Sequence, residues 1–216
     1  MKKILAISDQ RLAEMQQQEF LRQNYSDVMC IISCGDMEVS YLEFINSVLN
    51  IPLFYVRGNH DSHYEPGRPG GEDLHMNYQK YRGLTLMGLE GSMYYNGKNV
   101  QYTEMQMAAN CLKILPGMLV RQRSRGYGVD YLVTHSPPYQ IHDRSDLTHQ
   151  GFRSFLWLMR LSRPRYMIHG HIDPWDRREV TETQYYDTRI ININPKRVLF
   201  PEEDDQKRPQ ETWNTD

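Results

Sequence analysis

The chain has 216 residues, enough for one sizeable domain with a real core. Its hydrophobic fraction is 39%, its charged fraction 24% and its formal net charge -2, so no basic excess draws it to nucleic acid or an anionic membrane. Three cysteines, Cys30, Cys34 and Cys111, are too few for a disulfide framework, and no stretch approaches the roughly 18 apolar residues that span a bilayer. The apolar stretch after Met1 is too short for a signal peptide and meets Asp9 and Arg11 at once, so a cytoplasmic location is expected.

Ile4 to Ser8 predicts a buried strand ending at Asp9, and Leu12 to Gln23 a helix. Val28 to Ser33 is a second strand, followed by Gly35-Asp36, and Val39 to Leu49 has helical spacing. Leu53 to Val56 is a third strand, running into Gly58-Asn59-His60-Asp61. Residues 62–83, rich in Gly, Pro, His and Tyr, read as a long loop of the kind that is often functional. A strand is expected over Leu84 to Leu89, and a helix over Thr103 to Val120 broken near Pro116-Gly117. Tyr131 to Thr134 is a strand ending at His135, Thr148 to Leu161 a helix, and Tyr166 to Ile168 a strand leading into His169-Gly170-His171. Arg189 to Ile193 and Arg197 to Phe200 read as adjacent late strands. Residues 1–200 are expected to form a single domain, and 201–216 an acidic, polar tail.

The chemistry lies at the strand ends. Strand one delivers Asp9, strand two Asp36, strand three Asn59 and His60, and later strands His135 and His171. In α/β sheets, sites form outside the carboxyl ends of strands. A lone Asp after a strand is usually a turn residue or cap. A series of five, each at its own strand end, points instead to one metal-binding rim. Carboxylate, amide oxygen and imidazole together suit Mn, Fe, Zn, Ni or Mg.

The series resembles the signature of the calcineurin-like metallophosphoesterases: Asp-x-His, Gly-Asp, Gly-Asn-His-Asp/Glu, a lone His, then Gly-His-x-His. It is matched at Asp9, Gly35-Asp36, Gly58-Asn59-His60-Asp61, His135 and Gly170-His171. The resemblance implies an α/β fold, a two-sheet β-sandwich flanked by helices in four αββα layers. It also implies two metals about 3.5–4 Å apart bridged by Asp36. Asn59, His135 and His171 would complete one shell, and Asp9 would serve the other. The implied reaction is hydrolysis of a phosphomonoester or phosphodiester by a hydroxide held on the metal, with His60 as general acid and Asp61 as a candidate to hold its ring.

Two positions depart from the signature, and both belong to the Asp9 shell. Arg11 and Asp173 stand where the family carries histidines. In one account Asp173 ligates the first metal and shifts it toward harder ions such as Mn, the favoured cofactor, while Arg11 points away. In the other, Arg11 fills the vacant space, pairs with Asp9 or Asp173 and helps neutralise the phosphoryl group. His169, His149 and Asp146 are secondary candidates for orienting a ligand or touching substrate, and His63 and His75 for lining the pocket. The expected partner is a small phosphoester. A catalytically weak or inactive chain serving as a protein-interaction scaffold is the alternative, because such folds also host scaffolds that have lost active-site histidines.

Overall fold

Strands that are apolar at every position must be covered on both faces. The computed structural model, which describes residues 2–61, 67–97, 100–174, 176 and 178–201, provides that cover with four layers. The strands are β1 (Lys3–Ile7), β2 (Val28–Ser33), β3 (Leu53–Tyr55), β4 (Glu72–Asp73), β5 (Gln79–Tyr81), β6 (Leu84–Leu89), β7 (Ser92–Met93), β8 (Gln101–Tyr102), β9 (Tyr131–Thr134), β10 (Tyr166–His169), β11 (Glu182–Tyr185), β12 (Thr188–Asn192) and β13 (Lys196–Leu199). The α-helices are α1 (Gln18–Tyr25), α2 (Val39–Leu49), α3 (Glu104–Arg125) and α4 (Arg153–Ser162). One sheet has the order β13-β1-β2-β3-β4 and the other β11-β12-β10-β9-β6-β5, with β7 and β8 as a separate pair.

The side-chain period of two assigns each strand's residues to alternate layers. Ile4 and Ala6 of β1 join Ile32, Val133 and Ile168 between the sheets. Leu5 and Ile7 face the other way, onto Leu21 of α1 and Leu42 and Ile45 of α2. Across the molecule, Leu132, Met167 and Ile190 pack against Met107 and Ile114 of α3 and Phe155 and Leu158 of α4. No helix among the described residues is long and apolar enough to cross a membrane.

The structure alters several expected boundaries. The first helical segment splits at the extended Gln17 into a 3-10 turn, Ala13–Gln16, and α1. Helix α3 runs unbroken through Pro116. The carbonyl that Pro116 deprives of a donor, four residues back, belongs to the exposed Leu112, where water can replace it. Helix α4 starts at Arg153 rather than near Thr148, which frees the preceding loop for the site. The expected loop over 62–83 contains β4 and β5, with His63 outside the described residues. The late strands are not neighbours: β12 pairs with β10 and β11, whereas β13 crosses to pair antiparallel with β1. Of the expected tail, 202–216 lies outside the described residues.

Candidate metal centre

Strands β1, β2 and β3 run parallel in one sheet, as do β6, β9, β10 and β12 in the other, so their carboxyl ends collect at one rim. The sheets touch there. The Nδ1–H of His135, just past β9, donates to the Cys34 carbonyl just past β2 at 2.8 Å. The backbone N–H of His171 donates to Asp9 Oδ2 at 2.9 Å. Three of the rim residues hold positive φ: Asp9 at 64°, Asp36 at 55° and His171 at 67°. Non-glycine residues in that region are strained, and such strain concentrates at functional sites.

Gly58 is required by space. A Cβ there would fall onto the Asp36 carboxylate and approach the Asp36 N at 2.7 Å. Asp61 ties these two turns together: its Oδ2 accepts the N–H of Asp36 at 2.7 Å and of Gly58 at 2.8 Å. Burial, with the Asp36 charge, pushes the Asp61 carboxyl up to about 7. The expectation that Asp61 holds the His60 ring is therefore corrected, because its carboxylate is engaged with backbone N–H groups. His60 sits at the mouth, with its side chain 73% exposed and its Nε2 4.0 Å from Asp36 Oδ2. Its backbone N–H donates to Asp36 Oδ1 at 2.8 Å.

Donor atoms of Asp36, His135 and His171 lie within 4.8 Å of one another. His135 Nε2 is 3.3 Å from Asp36 Oδ2 and 3.0 Å from Asn59 Oδ1. Because His135 Nδ1–H is committed to Cys34, neutral His135 presents a lone pair at Nε2. Three electron-rich atoms then converge, which only a proton or a cation relieves. Without a metal the proton takes that place. Burial alone would lower His135, but Asp36 and Asp9 raise it to about 9. Burial likewise opposes Asp36, yet the His135 charge and hydrogen bond hold it at about 2. His171 gives Nε2–H to the Thr148 carbonyl at 2.7 Å, leaving Nδ1 with its lone pair, and burial beside His135 lowers it to about 3. Burial raises Asp9 above the usual carboxylate range, against the lowering charge of His135. The donor set thus fits a divalent cation with oxygen and imidazole ligands.

Asp9, Asp36, Asn59, His60, His149 and His171 line a cavity of about 290 Å³ at this rim. A larger cleft of about 510 Å³ lies elsewhere, beside His142, Arg144, Glu179 and Thr183. Arg11 and Asp173 are not brought to the cluster. Arg11 pairs with Glu38 at 2.6 Å and lines a separate cleft with Tyr41 and Phe44, so the expected pairing with Asp9 or Asp173 is corrected. Asp173 is exposed, its backbone carbonyl accepts from Arg144 at 2.6 Å, and it is not among the residues that line this cavity. Arg11→Ala is expected to change metal affinity and turnover by less than about twofold, as an exposed ion pair contributes little. A larger loss in either titration or assay would return Arg11 to the site.

Of the secondary candidates, His149 packs on His171 with ring centroids 5.3 Å apart, and its Nδ1–H donates to Asp146 Oδ1 at 2.8 Å. His169 turns from the cluster. Its Nδ1–H donates to the Gly170 carbonyl at 2.9 Å, and its Nε2 lies 3.0 Å from His142 Nδ1. Burial lowers these two rings to about 3 and about 4. His75 is directed at Glu90, whose N–H it accepts at 3.2 Å. Sequence reasoning missed the Cys34 and Thr148 carbonyls that fix the two imidazoles, and Tyr95, whose hydroxyl accepts from Asn59 Nδ2 at 3.2 Å. Backbone acceptors leave no signature in residue type, so no sequence signal marks the two carbonyls.

The family profile described as calcineurin-like phosphoesterase matches residues 27–173. The chain belongs to that family. No curated protein matches this chain significantly. Among solved structures it is similar to TT1561 of Thermus thermophilus, at 14% identity over 88% of each chain with a TM-score of 0.57. Vps29 of Chaetomium thermophilum also aligns, at 13% identity over 88% of this chain and 69% of that one, with a TM-score of 0.38. At this identity the likeness to TT1561 speaks to the fold alone, here the two-sheet, helix-flanked phosphoesterase fold.

Proposed function

We propose that this phosphoesterase-family chain is a metal-dependent phosphoric ester hydrolase with one principal cation, held by Asp36, Asn59, His135 and His171. The convergence of Asp36, Asn59 and His135 donors at 3.0–3.3 Å carries the reading. Oxygen and imidazole donors together favour manganese over magnesium, with iron, zinc and nickel as alternatives. Such a cation would supply an acidified water and neutralise phosphoryl charge. The cavity of about 290 Å³ supports a small phosphomonoester or phosphodiester as substrate. The buried, unpaired Cys30, Cys34 and Cys111 support a reducing compartment, and we place the reaction in the cytoplasm. Residues 1–200 act as one domain in this reading.

The residues divide the remaining work. Asp61 holds the Asp36 and Gly58 turns in register, and the Cys34 and Thr148 carbonyls fix which imidazole nitrogens carry protons. Asp9 braces the His171 backbone. His60, exposed at the cavity mouth, delivers a proton to the departing oxygen. His60→Ala is expected to lower kcat by ~10²–10⁴ while manganese binding survives. Loss of the metal with this change would make His60 a ligand instead.

The test of the whole reading is hydrolysis of p-nitrophenyl phosphate and its bis ester with Mn, Ni, Zn and Mg. Turnover that requires the metal supports it. A second reading, a protein-interaction scaffold, is favoured by the withdrawal of Arg11 and Asp173 from the Asp9 side. Absence of turnover with every metal would select it.

A further inference from the structure

Asn59 is 2% exposed, and its amide carries two N–H donors that need acceptors. When Oδ1 faces a cation, those donors face away from it. One of them meets the Tyr95 hydroxyl at 3.2 Å. Tyr95 lies in the excursion between β7 and β8, and that excursion is fastened at both ends. Gln101 Oε1 accepts the backbone N–H of Tyr95 and of Asn96, each at 3.2 Å, and Gln101 Nε2 donates back to Asn96 Oδ1 at 2.7 Å. At its base, the Tyr102 hydroxyl donates to Glu90 Oε1 at 2.6 Å. Glu90 is buried and receives Arg57 Nε at 2.7 Å and Nη2 at 2.9 Å. Arg57 directly precedes Gly58-Asn59. One buried carboxylate therefore anchors both the turn that presents Asn59 and the segment that carries Tyr95.

We infer that Tyr95 is a positioning residue that holds the Asn59 amide in the orientation a cation needs; this rests on the metal-centre reading above. The effect is differential between the free and metal-loaded states. In the free protein the proton on His135 Nε2 is donated to Asn59 Oδ1 at 3.0 Å, so the amide is already held with its oxygen inward. A dication in that proton's place draws more charge from Oδ1 and makes the outward N–H a stronger donor. Without the Tyr95 hydroxyl that N–H loses its acceptor, and the cost grows with its donor strength. The loss thus falls harder on the metal-bound state, which is how a ligand shifts or fails to shift an equilibrium.

The experiment is manganese titration of the parent protein, Tyr95→Phe, Asn59→Ala and the double variant. Tyr95→Phe is expected to weaken manganese binding about tenfold, in the range typical for partners that orient a ligand. In the Asn59→Ala background the same change should cost nothing further, since the two residues act as a unit. An equal loss in both backgrounds would assign Tyr95 a merely structural role and overturn the inference. So would unchanged affinity in Tyr95→Phe when the parent binds manganese normally. A parent protein that takes up no ion would bring down the inference together with the metal-centre reading.

Discussion

The parent protein is expected to bind one equivalent of manganese tightly, and Asp36→Asn to lose that binding together with metal-dependent turnover. Asp36 supplies the anionic donor among the four proposed ligands; Asn59, His135 and His171 are neutral when they ligate. Its carboxylate stands 3.3 Å from His135 Nε2 and is held there by the His60 N–H at 2.8 Å. The asparagine variant keeps the shape and the acceptor for His60, so the fold is retained and the lost charge is what is measured. Removing a ligand should exceed the ~10–100-fold cost of removing a partner behind one, so a loss of at least ~10² in affinity and about 10³ in kcat/KM is expected. Calorimetric titration with manganese, beside the phosphoester assays, checks both. Affinity equal to the parent's would mean that the cation sits elsewhere. Two equally tight equivalents in the parent would mean that the Asp9 side is a full site despite Arg11 and Asp173.

The second large effect is expected from Gly170→Ala. Its φ is not in the left-handed region; the constraint is room. An added Cβ would land on Ser8 Oγ and Asp9 Oδ2, and within 2.7 Å of Ser8 Cβ. These atoms lie just past the end of β1, in the opposite sheet from β10. Ser8 is fully buried and donates to the Gly35 carbonyl at 3.2 Å, while Asp9 Oδ2 receives the His171 N–H at 2.9 Å. No rotation of one side chain clears the methyl without breaking one of these bonds, so the two sheet rims must separate. Overpacking of this kind costs about 3 kcal/mol, read as a lowered urea midpoint at unchanged m-value. Manganese affinity should fall with it, because the same displacement moves His171. A cost below about 1 kcal/mol would show that the rims part freely and that the Gly-His turn is not set by packing.

Much of the fold is legible along the chain because strands buried on both faces write themselves as uninterrupted apolar runs. Val28–Ser33 and Leu84–Leu89 are such runs, and their boundaries follow the sequence closely. The helical breaks were less legible. Pro116 signals a break, yet the stranded carbonyl lies at an exposed residue and packing on the second sheet carries α3 through. The neighbours of β12 and β13 follow from a crossing between sheets that neither strand's own pattern encodes.

For the site, the residue types, their order and their places at strand ends can be read along the chain, because side-chain period and turn chemistry are local properties. Tertiary structure alone decided which of them converge. Arg11 and Asp173 sit within motif spacing but turn to Glu38 and to solvent. Asp61, two residues after Asn59, became a backbone brace rather than a partner for His60. The lone pairs of His135 and His171 are aimed by carbonyls 101 and 23 residues away in the chain. Those choices depend on hydrogen-bond partners that meet only when the two sheets pack, and a backbone carbonyl is the same atom pair whatever residue carries it.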